Sequence, residues 1–217
     1  MTDALIYNPP GGKVLGSLVL LHGLGASAGD LFPLAGRLCG GQLRVICPQA
    51  PTRAITVNGG WQMPAWYDIA GTNLEDRQDE TGIKDSAELI EQYIVQAENE
   101  MESQRIFVGG FSQGAAMALY AGLRHRRQLG GIVALSGYML LAESLSDDAA
   151  SENRQTPIFQ AHGDFDPVVL PTWAVQCRDT LQTGGWSPVF KQYPIAHNIS
   201  EDEIDDLDEF LRNTLAE

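Results

Sequence analysis

The chain of 217 residues is 44% hydrophobic and 19% charged, which is typical of one globular domain, here residues 1–217, with a substantial core. Its 28 acidic residues outnumber its 14 Lys and Arg residues, so the formal net charge is −14. Such a charge argues against nucleic acid or an anionic membrane surface as a partner, because both are themselves negative. The three cysteines are too few and too irregular for a disulfide framework. There is no signal-peptide pattern and no apolar run long enough to cross a bilayer, so we expect a cytoplasmic protein with no stable membrane insertion.

Strands and helices alternate along the predicted chain. Short apolar runs predict strands at residues 5–7, 17–21, 43–47, 105–109, 131–136, 157–161 and 188–193. Helix-forming or helically spaced residues predict helices near Asp30, which could serve as the cap, and at residues 85–101, 115–121, 172–181 and 200–211. This alternation predicts an α/β fold, a three-layer sandwich around a mainly parallel central sheet. Ligand sites of such a fold lie at the carboxyl ends of its strands.

Between the third predicted strand and the next long helix lies an irregular stretch that carries Trp61, Trp66 and Tyr67. Within it, Asn58-Gly59-Gly60 is typical of a hairpin turn. A loop that carries three large aromatic side chains needs a surface to cover. We therefore expect a hairpin or loop insertion around residues 50–80 that covers the active site.

The most informative stretch is Gly110-Phe111-Ser112-Gln113-Gly114, a G-x-S-x-G pattern between a predicted strand and a predicted helix. A serine at the apex of a strand–turn–helix is the nucleophile elbow of serine hydrolases. The turn is so tight that side chains on Gly110 and Gly114 would collide with neighbouring elements. This context predicts Ser112 as the nucleophile.

A serine nucleophile needs a histidine base and an acid that orients it. Of the four histidines, only His197 follows the last predicted strand. The predicted strand before that one is followed by acids that could orient the histidine. Those acids are Asp164 and Asp166, and spacing alone does not separate them. His22 and His162 end predicted strands, where a packing role with a satisfied ring nitrogen is the simpler interpretation.

The oxyanion hole of such an enzyme consists of backbone N–H groups. One belongs to the residue after the nucleophile, Gln113, and the other to the loop at residues 22–25, where Leu24 is the predicted donor. The same loop fits the dinucleotide-binding pattern G-x-G-x-x-G/A, but that pattern expects an acidic residue about 20 positions later. The chain has Cys47-Pro48-Gln49 there instead. We therefore expect no cofactor, and the absence of paired-histidine spacing argues against a metal.

Taken together, these residues resemble the acyl-protein thioesterase and small bacterial carboxylesterase family of α/β-hydrolases over nearly the whole chain. The motifs that carry the resemblance are Leu21-His22-Gly23-Leu24-Gly25, Pro48-Gln49-Ala50-Pro51, Met63-Pro64-Ala65-Trp66-Tyr67-Asp68-Ile69, Gly110-Phe111-Ser112-Gln113-Gly114, Leu135-Ser136-Gly137-Tyr138 and His162-Gly163-Asp164-Phe165-Asp166.

The resemblance implies a triad of Ser112, Asp166 and His197, which selects the second of the two aspartates. It also implies Leu24 and Gln113 as oxyanion donors and a homodimer. For substrate binding we expect Trp66, as a wall of the acyl pocket, and Val169. One departure is Ala196, because the family usually has glycine before its catalytic histidine. Alanine tolerates positive φ less well, so the sequence leaves open whether the loop around His197 keeps the family geometry.

The predicted function is serine hydrolysis of carboxylic ester or thioester bonds through an acyl-enzyme intermediate, as a carboxylesterase acting on small-molecule esters with short-to-medium acyl chains. One alternative is an acyl-protein thioesterase or lysophospholipase that acts on long acyl chains with the same residues. A second alternative, from a different class, is a catalytically silent binding module on the same fold.

Overall fold

A computed structural model describes residues 3–71, 73 and 78–216. Its strands are β1 (Ala4–Tyr7), β2 (Gly16–Leu21), β3 (Leu43–Pro48), β4 (Thr52–Ile55), β5 (Trp61–Pro64), β6 (Ile106–Phe111), β7 (Gly131–Leu135), β8 (Ile158–Gly163) and β9 (Val189–Tyr193). Within this part of the chain, seven strands form one sheet in the order β1-β3-β2-β6-β7-β8-β9. Only the edge strand β1 is antiparallel to its neighbour. The predicted mainly parallel sheet is confirmed.

The sheet lies between two layers of helices. The helices are α1 (Ala28–Leu31), α2 (Glu80–Glu98), α3 (Gln113–Arg124), α4 (Leu145–Asp148), α5 (Pro171–Thr183) and α6 (Glu201–Ala216). Alternate residues of a strand point to opposite faces, and in β2 Val19 joins the core under α2 and α3 while Leu18 joins the core under α6. Every residue of β2 is buried, as expected for a strand covered on both faces. Across the described ranges, no helix is long and apolar enough to span a membrane.

The starts of α1 and α2 differ from the prediction because of their caps. Helix α2 begins at Glu80 rather than at residue 85, because the Asp79 carboxylate accepts a hydrogen bond from the Gly82 N–H (2.9 Å) and caps an extra polar turn. Helix α1 begins at Ala28, before Asp30, and its N-cap is Ser27. The Asp30 carboxylate instead accepts from the Ser27 N–H (2.7 Å), which is the reciprocal half of a capping box.

Strands β4 and β5 pair antiparallel as a separate two-stranded hairpin. Gly59 and Gly60 both have positive φ, 68° and 82°, so the predicted glycine turn is present. Part of the predicted insertion around residues 50–80, namely residues 72 and 74–77, lies outside the described residues.

Candidate active site

Ser112 lies at the apex of a sharp turn between β6 and α3. Its φ of 56° and ψ of −121° lie outside the regions that most residues adopt. A Cβ on Gly110 would lie 2.5 Å from the Gly114 carbonyl carbon, and one on Gly114 would lie 2.1 Å from the Leu21 carbonyl oxygen. Both contacts are with backbone atoms, so neither position accepts a side chain. The elbow predicted from the G-x-S-x-G pattern has the geometry expected of it.

The structure brings Ser112, His197 and Asp166 into one hydrogen-bonded chain. The Ser112 Oγ lies 3.0 Å from His197 Nε2, and His197 Nδ1 lies 2.6 Å from Asp166 Oδ2. These atoms come from the carboxyl ends of β6, β8 and β9, at one edge of the sheet. With Nδ1–H donating to the carboxylate, Nε2 carries the lone pair that faces the serine hydroxyl.

The other oxygen of Asp166 is held by its own loop. Oδ1 accepts hydrogen bonds from the backbone N–H groups of Val168 (2.8 Å) and Val169 (2.9 Å). The carboxylate is fully buried, so its orientation is fixed from both sides. Asp164, the other candidate acid, is exposed and accepts from the Gln192 side chain (3.0 Å).

The loop that carries His197 packs directly on the loop that carries the acid. A Cβ on Gly163 would lie 2.4 Å from the Ala196 carbonyl oxygen, so the contact needs a glycine at that position. Ala196 itself is not among the residues with positive φ. The strain expected from alanine before the histidine is therefore absent, and His197 reaches both of its partners.

Two backbone segments border the serine where an oxyanion would form. Gln113 is the first residue of α3, and the first N–H groups of a helix have no intrahelical acceptor and lie at its positive end. Leu24 follows Gly23, and a Cβ added to Gly23 would lie 3.4 Å from the Ser112 Cβ. Both predicted donor residues also line the cavity next to Ser112. The arrangement suits a developing negative charge beside the nucleophile.

The cavity next to Ser112, here called the Ser112 pocket, has a volume of about 490 Å³. Val169, predicted as a substrate-binding residue, lines it. The other lining residues are mostly apolar, and they include Leu24, Val57, Tyr67, Ile69, Tyr138, Leu140, Val168, Leu170 and Trp173. Val57 belongs to the turn region of the hairpin, so the hairpin contributes to the lining of the pocket.

The prediction that Trp66 forms a wall of the pocket is wrong. The Trp66 side chain is 0% exposed and does not line the cavity. Its indole N–H instead donates to the His22 carbonyl oxygen (2.8 Å), beneath the oxyanion loop. The neighbouring residue, Tyr67, faces the pocket in its place.

The segment around Trp66 is bonded to both of the backbone segments that carry the predicted oxyanion donors. The Gln113 side chain accepts from the Trp66 N–H (2.9 Å) and donates to the Tyr67 carbonyl oxygen (2.9 Å). On the other side, the Gly25 N–H donates to the Pro64 carbonyl oxygen (2.8 Å). The end of the hairpin is therefore part of the support of the site, and sequence spacing gave no sign of this role.

Two buried histidines stabilise these loops in the neutral form, because burial lowers the pKa of each. His22 Nε2 accepts from the Ala50 N–H (3.1 Å), and its Nδ1 lies 2.8 Å from the Gly23 carbonyl oxygen. His162 Nε2 lies 2.8 Å from the Val169 carbonyl oxygen. Each thus has a bonded ring nitrogen, as expected for packing residues.

Comparison with known proteins identifies the family. Residues 4–215 match the phospholipase/carboxylesterase family model. The chain belongs to this family. Acyl-protein thioesterase 1 homolog 1 of Dictyostelium discoideum is 36% identical over 206 residues, which cover 92% of this chain and 90% of that protein. The crystal structure of Zea mays acyl-protein thioesterase 2 superposes with a TM-score of 0.89 at 29% identity, covering 99% of this chain and 100% of that one. Esterase PE8 gives a TM-score of 0.81 at 26% identity over 98% of both chains.

Family membership confirms the predicted α/β-hydrolase fold and the predicted resemblance. It also makes this chain a hydrolase of ester or thioester bonds. Neither the acyl chain nor the leaving group of its substrate follows from these relatives.

Sequence reasoning missed three side chains that shape the pocket, Tyr67, Tyr138 and Trp173. Tyr67 and Tyr138 both lie within motifs that carried the family resemblance, which was the available signal. Trp173 lies in the first turn of α5 and had no such signal.

Proposed function

We propose that this protein is a serine esterase that cleaves carboxylic esters of short-to-medium acyl chains, with Ser112 as nucleophile, His197 as base and Asp166 as its orienting acid. The observation that carries the proposal is the continuous hydrogen-bonded chain from the Ser112 hydroxyl to the buried Asp166 carboxylate. A serine hydroxyl is a weak nucleophile unless a base removes its proton as it attacks.

In this mechanism, His197 Nε2 takes the Ser112 proton as Oγ bonds to the substrate carbonyl carbon. The carbonyl oxygen gains the negative charge and accepts from the Leu24 and Gln113 N–H groups. His197 then gives its proton to the leaving alcohol or thiol, which leaves an acyl-serine. Water activated by the same imidazole repeats the steps and releases the acid. Asp166 stabilises the imidazolium throughout.

The position of His197 assigns the Ser112 pocket to the acyl chain in this proposal. The leaving group must contact His197 Nε2 to receive its proton. Among the described residues that line the pocket, Ser112 and Gln113 are present and His197 is not. This supports placing the acyl chain in the pocket and the leaving group beside His197, outside it. We also propose that the hairpin covers the mouth of the pocket through Val57.

A specific observation favours the second candidate, an acyl-protein thioesterase with longer acyl chains. The relatives from Dictyostelium and Zea mays carry that name. The pocket also has a larger cavity beside it, of about 910 Å³, and Gln78 and Trp173 border both. A chain too long for the Ser112 pocket would have to pass Trp173 to enter that second space. A cytoplasmic location and a homodimer remain predictions from the sequence.

The deciding experiment compares p-nitrophenyl esters and matched acyl-thiol substrates of increasing chain length, with Ser112→Ala as the inactive control. We expect kcat/KM to peak at short-to-medium oxygen esters and to be lost in the variant. A peak at long-chain thioesters would select the second candidate. Full activity of Ser112→Ala, or failure of the wild type to react with a fluorophosphonate, would refute the serine mechanism and favour a silent binding module.

A further inference from the structure

Two phenols face each other in the mostly apolar Ser112 pocket. The hydroxyl oxygens of Tyr67 and Tyr138 are 2.6 Å apart, and both residues line the cavity. Tyr67 follows Trp66, and its carbonyl oxygen is bonded to the Gln113 side chain. Tyr138 follows the carboxyl end of β7, the strand beside the nucleophile strand. The hydroxyl pair, as we call these two groups, is therefore built on elements that also support the catalytic serine.

The hydrogen bonds of the pair do not balance. Two phenols have two protons, and the bond between them uses one. Among the residues that the structure describes, this is the only hydrogen bond in which either hydroxyl takes part. Burial raises the pKa of both phenols, that of Tyr138 to about 12, so both protons are present near neutral pH. One O–H donor of the pair is thus left without an acceptor among the residues that the structure describes.

Two acceptor side chains in the described part of the pocket wall already have donors. The Asp68 carboxylate accepts from the backbone N–H (2.7 Å) and the hydroxyl of Thr56. The Gln113 side-chain oxygen accepts from the Trp66 N–H. A buried donor without an acceptor is unfavourable, and water or a ligand atom normally satisfies it.

We propose that the hydroxyl pair donates a hydrogen bond to an oxygen in the acyl chain of the substrate, so that the enzyme selects acyl groups with an ether, carbonyl or hydroxyl oxygen at one position over plain alkyl chains. The inference rests on the proposed esterase function and on the assignment of the pocket to the acyl chain. Among the described residues that line the pocket, the other ionisable side chain is the acid Asp68, so a neutral acceptor suits the site.

The test uses pairs of p-nitrophenyl esters of equal length, in which an ether oxygen replaces one methylene at successive positions. For each pair, the ratio of kcat/KM for the ether ester to that for the alkyl ester is measured in the wild type and in the double variant Tyr67→Phe/Tyr138→Phe. Comparison between the two proteins cancels the intrinsic reactivity of each ester. Replacing both partners of a hydrogen bond with apolar groups of the same shape is often nearly neutral for stability. Tyr7→Phe, which removes a hydroxyl bonded to Gly41, is the matched control.

We expect the ratio to fall roughly 3- to 10-fold at one ether position in the double variant and to stay unchanged in Tyr7→Phe. An unchanged ratio at every position overturns the proposal. If the double variant does not fold, the wild-type protein alone is used. The ether-to-alkyl ratio of kcat/KM for each pair is then divided by the same ratio of rate constants for hydrolysis by hydroxide. A peak at one position supports the proposal and a flat profile refutes it. An active esterase with flat ratios leaves the proposed function standing, whereas no turnover of any ester removes that function.

Discussion

Replacing Asp166 with asparagine tests how the triad is oriented. In the wild type, Asp166 Oδ1 accepts two backbone N–H groups and Oδ2 accepts His197 Nδ1–H. The asparagine carbonyl has to stay on the two backbone donors, because the flipped amide would set an NH₂ group against both. Its NH₂ group then faces Nδ1, and the ring avoids this donor–donor contact only by moving its proton to Nε2. A proton on Nε2 faces the Ser112 hydroxyl at 3.0 Å, so the imidazole no longer acts as a base.

We expect Asp166→Asn to lower kcat for a p-nitrophenyl ester by about 10,000-fold, which corresponds to roughly 5 kcal/mol of transition-state stabilisation. Asp164→Asn is the matched control, since that side chain is exposed and outside the chain of hydrogen bonds. Urea denaturation of both variants checks that they fold. If Asp166→Asn kept more than about a tenth of the wild-type kcat, the argument from the tautomer would be refuted. A large loss in Asp164→Asn would move the acid to the other aspartate.

Three further predictions concern the elbow, the pocket and pH. Gly114→Ala should destabilise the fold by several kcal/mol in urea denaturation, because its Cβ would lie 2.1 Å from backbone, whereas Gly36→Ala, with nothing within 4 Å, should not. Trp173→Ala should shift the chain-length optimum of kcat/KM to longer esters by joining the two cavities, and Trp61→Ala, on the exposed hairpin, should leave it unchanged. Burial raises the pKa of the Glu203 carboxyl to about 7, so its contribution to stability is full below its unfolded pKa and is lost as pH rises through 7. Glu203→Gln should therefore have a free energy of unfolding, measured by urea denaturation, that exceeds that of the wild type by up to about 3 kcal/mol near pH 8. Near pH 4 the two proteins should be equally stable.

The sheet was predictable because a strand covered on both faces has to be apolar throughout. Each predicted parallel strand matches a strand of the structure within one or two residues at each end, and all of them except the edge strand β9 are buried. The start of α2 was not predictable in this way. Its first turn, Glu80 to Lys84, is exposed at most positions, and Ile83 is its one large apolar side chain, so the apolar signal there is weak. The turn forms because Asp79 caps it, and a cap acts through one side-chain contact rather than through a pattern.

The site likewise has features that a sequence pattern predicts and features that individual side-chain contacts decide. The order of serine, acid and histidine along the chain was enough to choose Ser112 and His197, since the fold brings the carboxyl ends of the strands to one edge. The wall of the pocket depends on which of two adjacent aromatic side chains turns outward. Trp66 turns inward because its indole N–H bonds to the His22 carbonyl, 44 residues away in the chain. That choice is made by contacts distant in sequence, which spacing within one motif cannot supply.

The amide of Gln113 has a consequence for how this enzyme can change. A single side chain holds the backbone of Trp66 and Tyr67 while its own N–H lies beside the nucleophile. A mutation that reshapes the wall at Tyr67 therefore also disturbs the group that would hold the oxyanion. Such a mutation changes the substrate range and the turnover rate at the same time. Variation that leaves the rate intact has to occur at the far rim, around Val57 and Trp173, and a library for altered substrate range would best be built there.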